Sequence, residues 1–194
     1  MAKIIGITGG IGSGKSTLIE FVNKLGYKVY VSDEESKKII NSEEIIKKIQ
    51  FLFPDHVLVV EGFLDKKKLA EIVFSDPDKL KKLNNLIHPL VKIDFENWVK
   101  KNEKEQLLFK ESAILFESGG YKECDLNILI TAPVEIRIER VVRRDQVTKE
   151  KVLERINNQW SDEKKTLLAD YIVENVDLAL STKEIVNIIN KISK

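Results

Sequence analysis

The chain has 194 residues, 43% of them hydrophobic, enough for one sizeable domain with a real core and too many for a disordered segment. Lysine and arginine number 32 against 31 acidic residues, and this balance disfavours a nucleic-acid partner, which would draw a basic chain. The lone cysteine, Cys124, excludes an internal disulfide and a cysteine-based zinc cluster.

The opening "KIIGIT" (3–8) predicts a short buried strand, ended by glycine. Residues 16–25 predict a helix, with Leu18, Phe21, Val22 and Leu25 at i, i+3, i+4 and i+7 and Gly26 as its stop. "YKVYV" (27–31) reads as a second strand, and "SDEE" (32–35) has capping-box spacing for the helix after it. Another helix is expected from 42 to 53. Residues 62–103 change in texture. Asp65 and Asp76 cap two helices, Pro89 interrupts the chain after His88, and "VKIDFENWVKK" makes a third helix. Three helices without a strand predict a helical insert at 62–103. Strand character returns in "EQLLFKESAILF" (105–116) and "DLNILIT" (125–131). Helices are expected over 133–144 and from Thr148 to about Trp160. "YIVEN" (171–175) is a last strand, and a closing helix is capped by Ser181 with Glu184. The alternation predicts an α/β fold, a parallel sheet with helices on both faces, with a core of 1–61 and 104–194. No apolar run approaches the ~18 residues of a membrane span, and "MAKIIGITGG" lacks the parts of a secretion signal. A cytoplasmic protein is therefore expected, without membrane contact, as a monomer or weak homo-oligomer.

The first strand runs into "GITGGIGSGKST", which holds five of the nine glycines. Gly9 to Ser16 fit G-x-x-x-x-G-K-[ST], and the pattern stands where a phosphate-binding loop needs it, between a strand and an amphipathic helix. Wrapping phosphate in backbone N–H groups requires residues without Cβ, and the helix N-terminus adds unpaired donors and a positive dipole end. Lys15 would reach the β- and γ-phosphates of a nucleotide, and the Ser16 hydroxyl would ligate Mg²⁺. The loop alone does not name a reaction, although the lack of an N-K-x-D segment weakens a GTPase reading.

Arginine occurs only at Arg137, Arg140, Arg143, Arg144 and Arg155. On a helix, Arg137, Arg140 and Arg144 share one face. Planar guanidinium forks in a chain otherwise supplied with lysine point to a clamp on transferring phosphate. A solvated face paired with Glu135 and Glu139, or a nucleic-acid patch, is the alternative. Asp33 follows the second strand on the ligand-binding edge of an open α/β sheet, where a carboxylate could take a proton from an attacking hydroxyl or hold it in line. It could equally serve the dipole of its own helix. His88 is either a substrate contact or part of a helix stop. Glu117, after "AILF", either approaches Mg²⁺ or is a surface acid.

The ordered set of segments resembles the dephospho-coenzyme A kinase family along nearly the whole chain. The phosphate loop with its doubled Gly9-Gly10, "LGYKVYVSDE", "EGFLDKKKLAEIVF", "LIHPLV", "AILFESG", "APVEIRIERVVRRD" and "LLADYIVEN" are each similar to the family's elements in sequence. The resemblance implies a nucleoside-monophosphate-kinase-like fold with a helical acceptor domain and a lid at about 137–160. It implies transfer of the γ-phosphoryl of ATP to the 3′-hydroxyl of dephospho-CoA, completing coenzyme A. The implied roles are phosphate binding by Gly9, Gly10, Ile11, Gly12, Ser13, Gly14, Lys15, Ser16 and Thr17; catalysis by Lys15, Arg140, Arg144 and Asp33; adenine proximity for Asn175; and acceptor contacts by Asp33, His88 and Lys66. Four positions depart from the family pattern: Val31, Lys66, Ala113 and Arg137, the last where glutamine is common. The rivals are a kinase for another small acceptor, such as a nucleoside monophosphate, and a nucleotide-binding regulator that transfers nothing.

Overall fold

A computed structural model describes residues 2–56, 58–60 and 63–193. The chain divides into two units. The first comprises Met1–Val31 with Asn102–Lys194, and the second Ser32–Lys101.

The first unit is built on five parallel strands: β1 (Lys3–Gly9), β2 (Lys28–Val31), β5 (Leu107–Glu111), β6 (Leu126–Thr131) and β7 (Tyr171–Glu174). Their order across the sheet is β2-β5-β1-β6-β7. β1 lies centrally, with Ile7 opposite Glu111 on one side and Ile128 on the other. A strand buried on both faces reads as a continuous apolar run, which is why "IIGIT" carries no polar alternation. Helix α1 (Lys15–Lys24) and the closing helix α9 (Leu178–Ile192) pack Leu18, Val22, Ile185 and Ile189 with Ile5, Phe109 and Ile130 in one core. A separate small cluster joins α6 (Val134–Asp145) to α7 (Lys149–Asn157) through Ile138, Val141 and Val152, with Ile11 against it.

The second unit carries α2 (Ser32–Ile40), α3 (Glu43–Leu52), a two-stranded pair of β3 (Val59–Val60) and β4 (Phe63–Leu64), α4 (Lys66–Phe74) and α5 (Pro77–Lys101). Its own core gathers Ile45, Ile49, Phe53, Leu69, Ile72, Leu83 and Ile87, with Ile39 and Ile40 packed on it. The helical unit therefore begins at Ser32, not at 62, because α2 and α3 put their apolar faces into this core.

Other expectations are corrected. Pro89 lies inside α5, which continues without a break. Proline removes the bond to the Asn85 carbonyl and crowds it, at about 3 kcal/mol. Burial of Leu83 and Ile87 before it and Phe95 after it offsets that cost. Strand β5 stops at Glu111, and "AILF" is a run of turns. Its Leu115 and Phe116 are buried nonetheless, so it looked like a strand for reasons of packing. The closing helix starts at Leu178, with Asp177 accepting from the Leu180 N–H. Ser181 lies inside it, fully buried, its hydroxyl donating to the Asp177 carbonyl at 2.7 Å. The caps expected at Asp65 and Asp76 are formed, and Thr148 caps α7, accepting from the Lys151 N–H.

Candidate active site

Between β1 and α1 the loop carbonyls are taken up by donors, one from the loop itself and the others from elsewhere in the same unit. The Gly10 carbonyl accepts from Ser13 N–H at 3.1 Å. Arg137 Nε donates to the Ile11 carbonyl at 2.9 Å. Arg140 Nη1 lies at 3.5 and 3.4 Å from the carbonyls of Gly12 and Ser13. Asn175 Nδ2 donates to the Ser13 carbonyl at 2.8 Å. A carbonyl facing an anion repels it, so a nest for phosphate needs this arrangement. Helix α1 opens at Lys15, so the Ser16 and Thr17 amides lie in its first turn, where N–H groups have no intrahelical acceptor and the dipole is positive. Both residues are exposed.

The glycines answer to the protein's own packing as much as to a ligand. A Cβ at Gly10 would strike the Arg137 guanidinium. Gly12 has φ +80°, and a Cβ there would come within 2.5 Å of the Arg137 carbonyl oxygen. The loop lies so close to α6 that side chains at these positions have no room.

Lys15 is ion-paired with Glu111, at the end of the neighbouring strand β5 and only 4% exposed. Glu111 is absent from the sequence-based site. The signal is an acid at the carboxyl end of a strand, on the edge where open α/β sheets bind ligands, the reasoning that selected Asp33, and it becomes visible only once β5 is known to stop at Glu111.

The three arginines expected on one face divide their work. Arg137 is 4% exposed and pairs with Asp162 at 3.0 Å as well as holding Ile11. Arg140 reaches the loop and lies 3.4 Å from the Val176 carbonyl. Arg144, one turn further on, is exposed and grips Asp145 through Nε and Nη2 at 2.6 and 3.1 Å. Arg155 reaches the same carboxylate at 2.8 Å. The Arg144 bond above all, with Arg155 beside it, draws the Asp145 carboxyl down to about 2. The trio thus does not converge on one point; Arg137 and Arg140 meet the loop and Arg144 does not.

Glu117 is part of a brace. It accepts from the Trp160 N–H at 3.2 Å and pairs with fully buried Lys165 at 3.1 Å. Both partners belong to the segment containing α8 (Asp162–Thr166), a short helix the sequence did not suggest. Asn175 is buried at the end of β7, with its amide nitrogen given to the loop.

The remaining sequence-selected residues belong to the helical unit. Asp33 is exposed in the first turn of α2, two residues beyond the end of β2. Lys66 is exposed at the start of α4. His88 precedes Pro89 at the surface of α5, where partial desolvation draws its pKa below the usual histidine value. No cluster of three or more His, Cys, Asp or Glu side chains able to hold a metal occurs among the described residues. The donor set at the loop, exposed Ser16 and Thr17 hydroxyls with the Glu111 carboxylate on Lys15, suits a hard cation that keeps most of its waters and arrives with phosphate. No helix among the described residues is long and apolar enough to cross a membrane.

Known proteins resemble this chain in sequence and in fold. A crystal structure of TT1252 from Thermus thermophilus superposes with a TM-score of 0.90 at 34% identity, covering 98% of this chain and 97% of that one. A dephospho-CoA kinase from Campylobacter jejuni matches at 0.76 and 31% identity over 100% and 98%. Shikimate kinase from Acinetobacter baumannii, at 15% identity and a TM-score of 0.55, shares the fold. Among curated relatives, the dephospho-CoA kinase of Bacteroides fragilis strain YCH46 is 41% identical over 175 residues, covering 90% of this chain and 85% of that protein. That of Fusobacterium nucleatum is 37% identical over 172 residues, with 89% of each covered. The family model for dephospho-CoA kinase matches residues 3–179, and the chain belongs to the dephospho-CoA kinase family.

Proposed function

We propose that this protein transfers the γ-phosphoryl group of ATP to the ribose 3′-hydroxyl of dephospho-CoA, releasing CoA and ADP. The observation that carries the reading is the loop at 9–17. Its carbonyls are held by Arg137, Arg140 and Asn175, and it runs into the amino end of α1. That arrangement serves a polyphosphate and has no use in a protein that binds none.

Phosphoryl transfer asks the protein for position and charge more than for covalent chemistry. The amides of the loop and of the first turn of α1 hold the phosphate chain. Lys15 leaves Glu111 for the β- and γ-phosphates. Arg140, already at the loop, neutralises charge on the transferring group, and Arg144 joins it by exchanging Asp145 for phosphate. The Ser16 hydroxyl would hold a Mg²⁺ ion arriving with the nucleotide, and such an ion would supply positive charge to the phosphates. Asp33 orients the acceptor hydroxyl. Acceptor contacts are assigned to the helical unit, with His88 and Lys66 among them. His88, its pKa drawn down, is neutral at pH 7 and can accept or donate a hydrogen bond without adding charge. A cytoplasmic location fits these substrates.

The test is ADP release with Mg²⁺ and ATP, comparing dephospho-CoA, AMP, GMP, shikimate and buffer side by side. Strong stimulation by dephospho-CoA alone is expected. Stimulation by AMP or GMP without dephospho-CoA would move the protein to another acceptor, and no stimulation by any acceptor would leave only a nucleotide binder.

A further inference from the structure

Two side chains hold opposite faces of one residue in the loop. The N–H of Ile11 donates to Gln159 Oε1 at 2.9 Å, and the carbonyl of Ile11 accepts from Arg137 Nε at 2.9 Å. The N–H belongs to the peptide plane between Gly10 and Ile11, and the carbonyl to the plane between Ile11 and Gly12. Both planes that meet at Ile11 are therefore pinned from outside.

Pinning has a directional consequence. A trans peptide sets its C=O and N–H antiparallel. Holding the Ile11 carbonyl against Arg137 therefore turns the Gly12 N–H to the opposite side of the loop. Without that hold, the plane next to a glycine at φ +80° can rotate cheaply, since glycine tolerates either sign of φ. Rotation would turn a carbonyl dipole toward the phosphate and remove a donor.

The two grips are also tied to each other. Arg137 Nη1 bonds Asp162, three residues beyond Gln159. Between them the Trp160 N–H is fixed by Glu117, which pairs with buried Lys165. Ser161 accepts from the Lys164 N–H and starts α8 at that point. The circuit Ile11–Arg137–Asp162–Gln159 closes on itself, with Glu117 and Lys165 as its foundation. Gln159 was not a site residue in the sequence. Arg137 stood out there as one fork of a phosphate clamp and as a departure from the family's common glutamine, not as a support for the loop backbone.

We propose that Gln159 and Arg137 are positioning residues that set the donor geometry of the phosphate loop, so that affinity for the polyphosphate depends on side chains that never touch it. This deepens the reading of residues 9–17 as the phosphate site and rests on it.

Gln159 gives the cleaner test because it is only partly buried, whereas Arg137 is enclosed. The substitution Gln159→Glu keeps an oxygen acceptor for the Ile11 N–H, and Gln159→Leu keeps the bulk without one. Wild type and these two variants are titrated with Mg·ADP by calorimetry, and exchange of the ¹⁵N-labelled Ile11 amide is followed without nucleotide. Gln159→Leu is expected to bind Mg·ADP about tenfold more weakly and to exchange the Ile11 amide at least about tenfold faster. Gln159→Glu is expected to restore both to within about threefold, and KM for dephospho-CoA should stay unchanged throughout. Wild-type ADP affinity in Gln159→Leu overturns the clamp, as does equal weakening in both variants. If Gln159→Leu proves unstable, Gln159→Ala with the same two readouts replaces it. Failure of the wild type itself to bind Mg·ADP would instead refute the phosphate-site reading.

Discussion

Replacing Gly12 with alanine separates two costs that are usually confounded. The first is conformational: a Cβ at φ +80° costs about 1–2 kcal/mol relative to the right-handed region. The second is steric. The new Cβ would sit 2.5 Å from the Arg137 carbonyl oxygen and 2.9 Å from the carbon and Cα of the same residue. These are backbone atoms of a helix, so no rotamer change relieves the overlap, and accommodating it adds about 1–3 kcal/mol. The sum is about 2–5 kcal/mol. Gly119 supplies the control. Its φ is +78°, and a Cβ there meets nothing within 4 Å, so Gly119→Ala should cost only the first, about 1–2 kcal/mol. Both glycines lie in the unit that holds Trp160, and the helical unit holds Trp98. In a Trp98→Phe background, urea denaturation followed by tryptophan fluorescence reads the right unit. Gly12→Ala should unfold at the lower urea concentration and lose measurable Mg·ADP binding, while Gly119→Ala keeps it. Equal stability of the two variants would refute the claim that α6 leaves no space above Gly12.

Arg140→Ala should lower kcat by at least about 10³ with ATP affinity changed far less, because the arginine acts on charge that develops during transfer. Wild-type-like turnover would remove Arg140 from the mechanism. Lys165→Met leaves the Glu117 carboxylate without its buried partner and should cost about 3–5 kcal/mol in denaturant unfolding. Adding Glu117→Gln removes the stranded charge and keeps an acceptor for Trp160, so the double variant should be more stable than Lys165→Met alone. The Asp145 carboxyl, held near 2 by Arg144 and Arg155, should stay ionised as pH falls past the ordinary aspartate value. Because its folded pKa is depressed, the contribution of this cluster is present above the unfolded value and is lost as pH falls through about 2. Carboxyl-carbon NMR would follow it, and Arg144→Gln combined with Arg155→Gln should return the midpoint toward about 4.

The phosphate loop was readable because its chemistry is local. Strand, glycines, Lys15 and α1 are consecutive, so spacing alone described them. The partners of the loop were not readable in the same way. Arg137, Gln159, Asp162 and Glu117 come together only when α6 and the segment before β7 fold over residues 10–13, and no periodicity in the sequence reports that approach. Arginine's confinement to 137–155 did mark the right helix. It could not reveal that Arg137 is consumed by Asp162 and the Ile11 carbonyl, or that Arg144 rests on its own neighbour. Glu111 was missed for a different reason: "LLFKESAILF" read as one long strand, which hid the strand end that makes an acid there meaningful. Pro89 misled because a local rule was outweighed by burial on both sides of it, and the boundary of the helical unit because α2 and α3 follow a β-strand in sequence while belonging to another core.

Strands β2 and β5 are parallel neighbours, so the chain must cross from one end of the sheet to the other between them, and all of 32–101 serves as that crossing. During synthesis β1, α1 and β2 leave the ribosome with no strand to pair with, since β1 bonds to β5 and β6 and β2 to β5. The helical unit, which has an apolar core of its own, can be complete while the amino-terminal segment still waits with Ile5, Ile7, Leu18 and Val22 uncovered. Until Leu107 and the residues after it emerge, those side chains have no sheet of their own to cover them, which leaves the nascent chain exposed to aggregation.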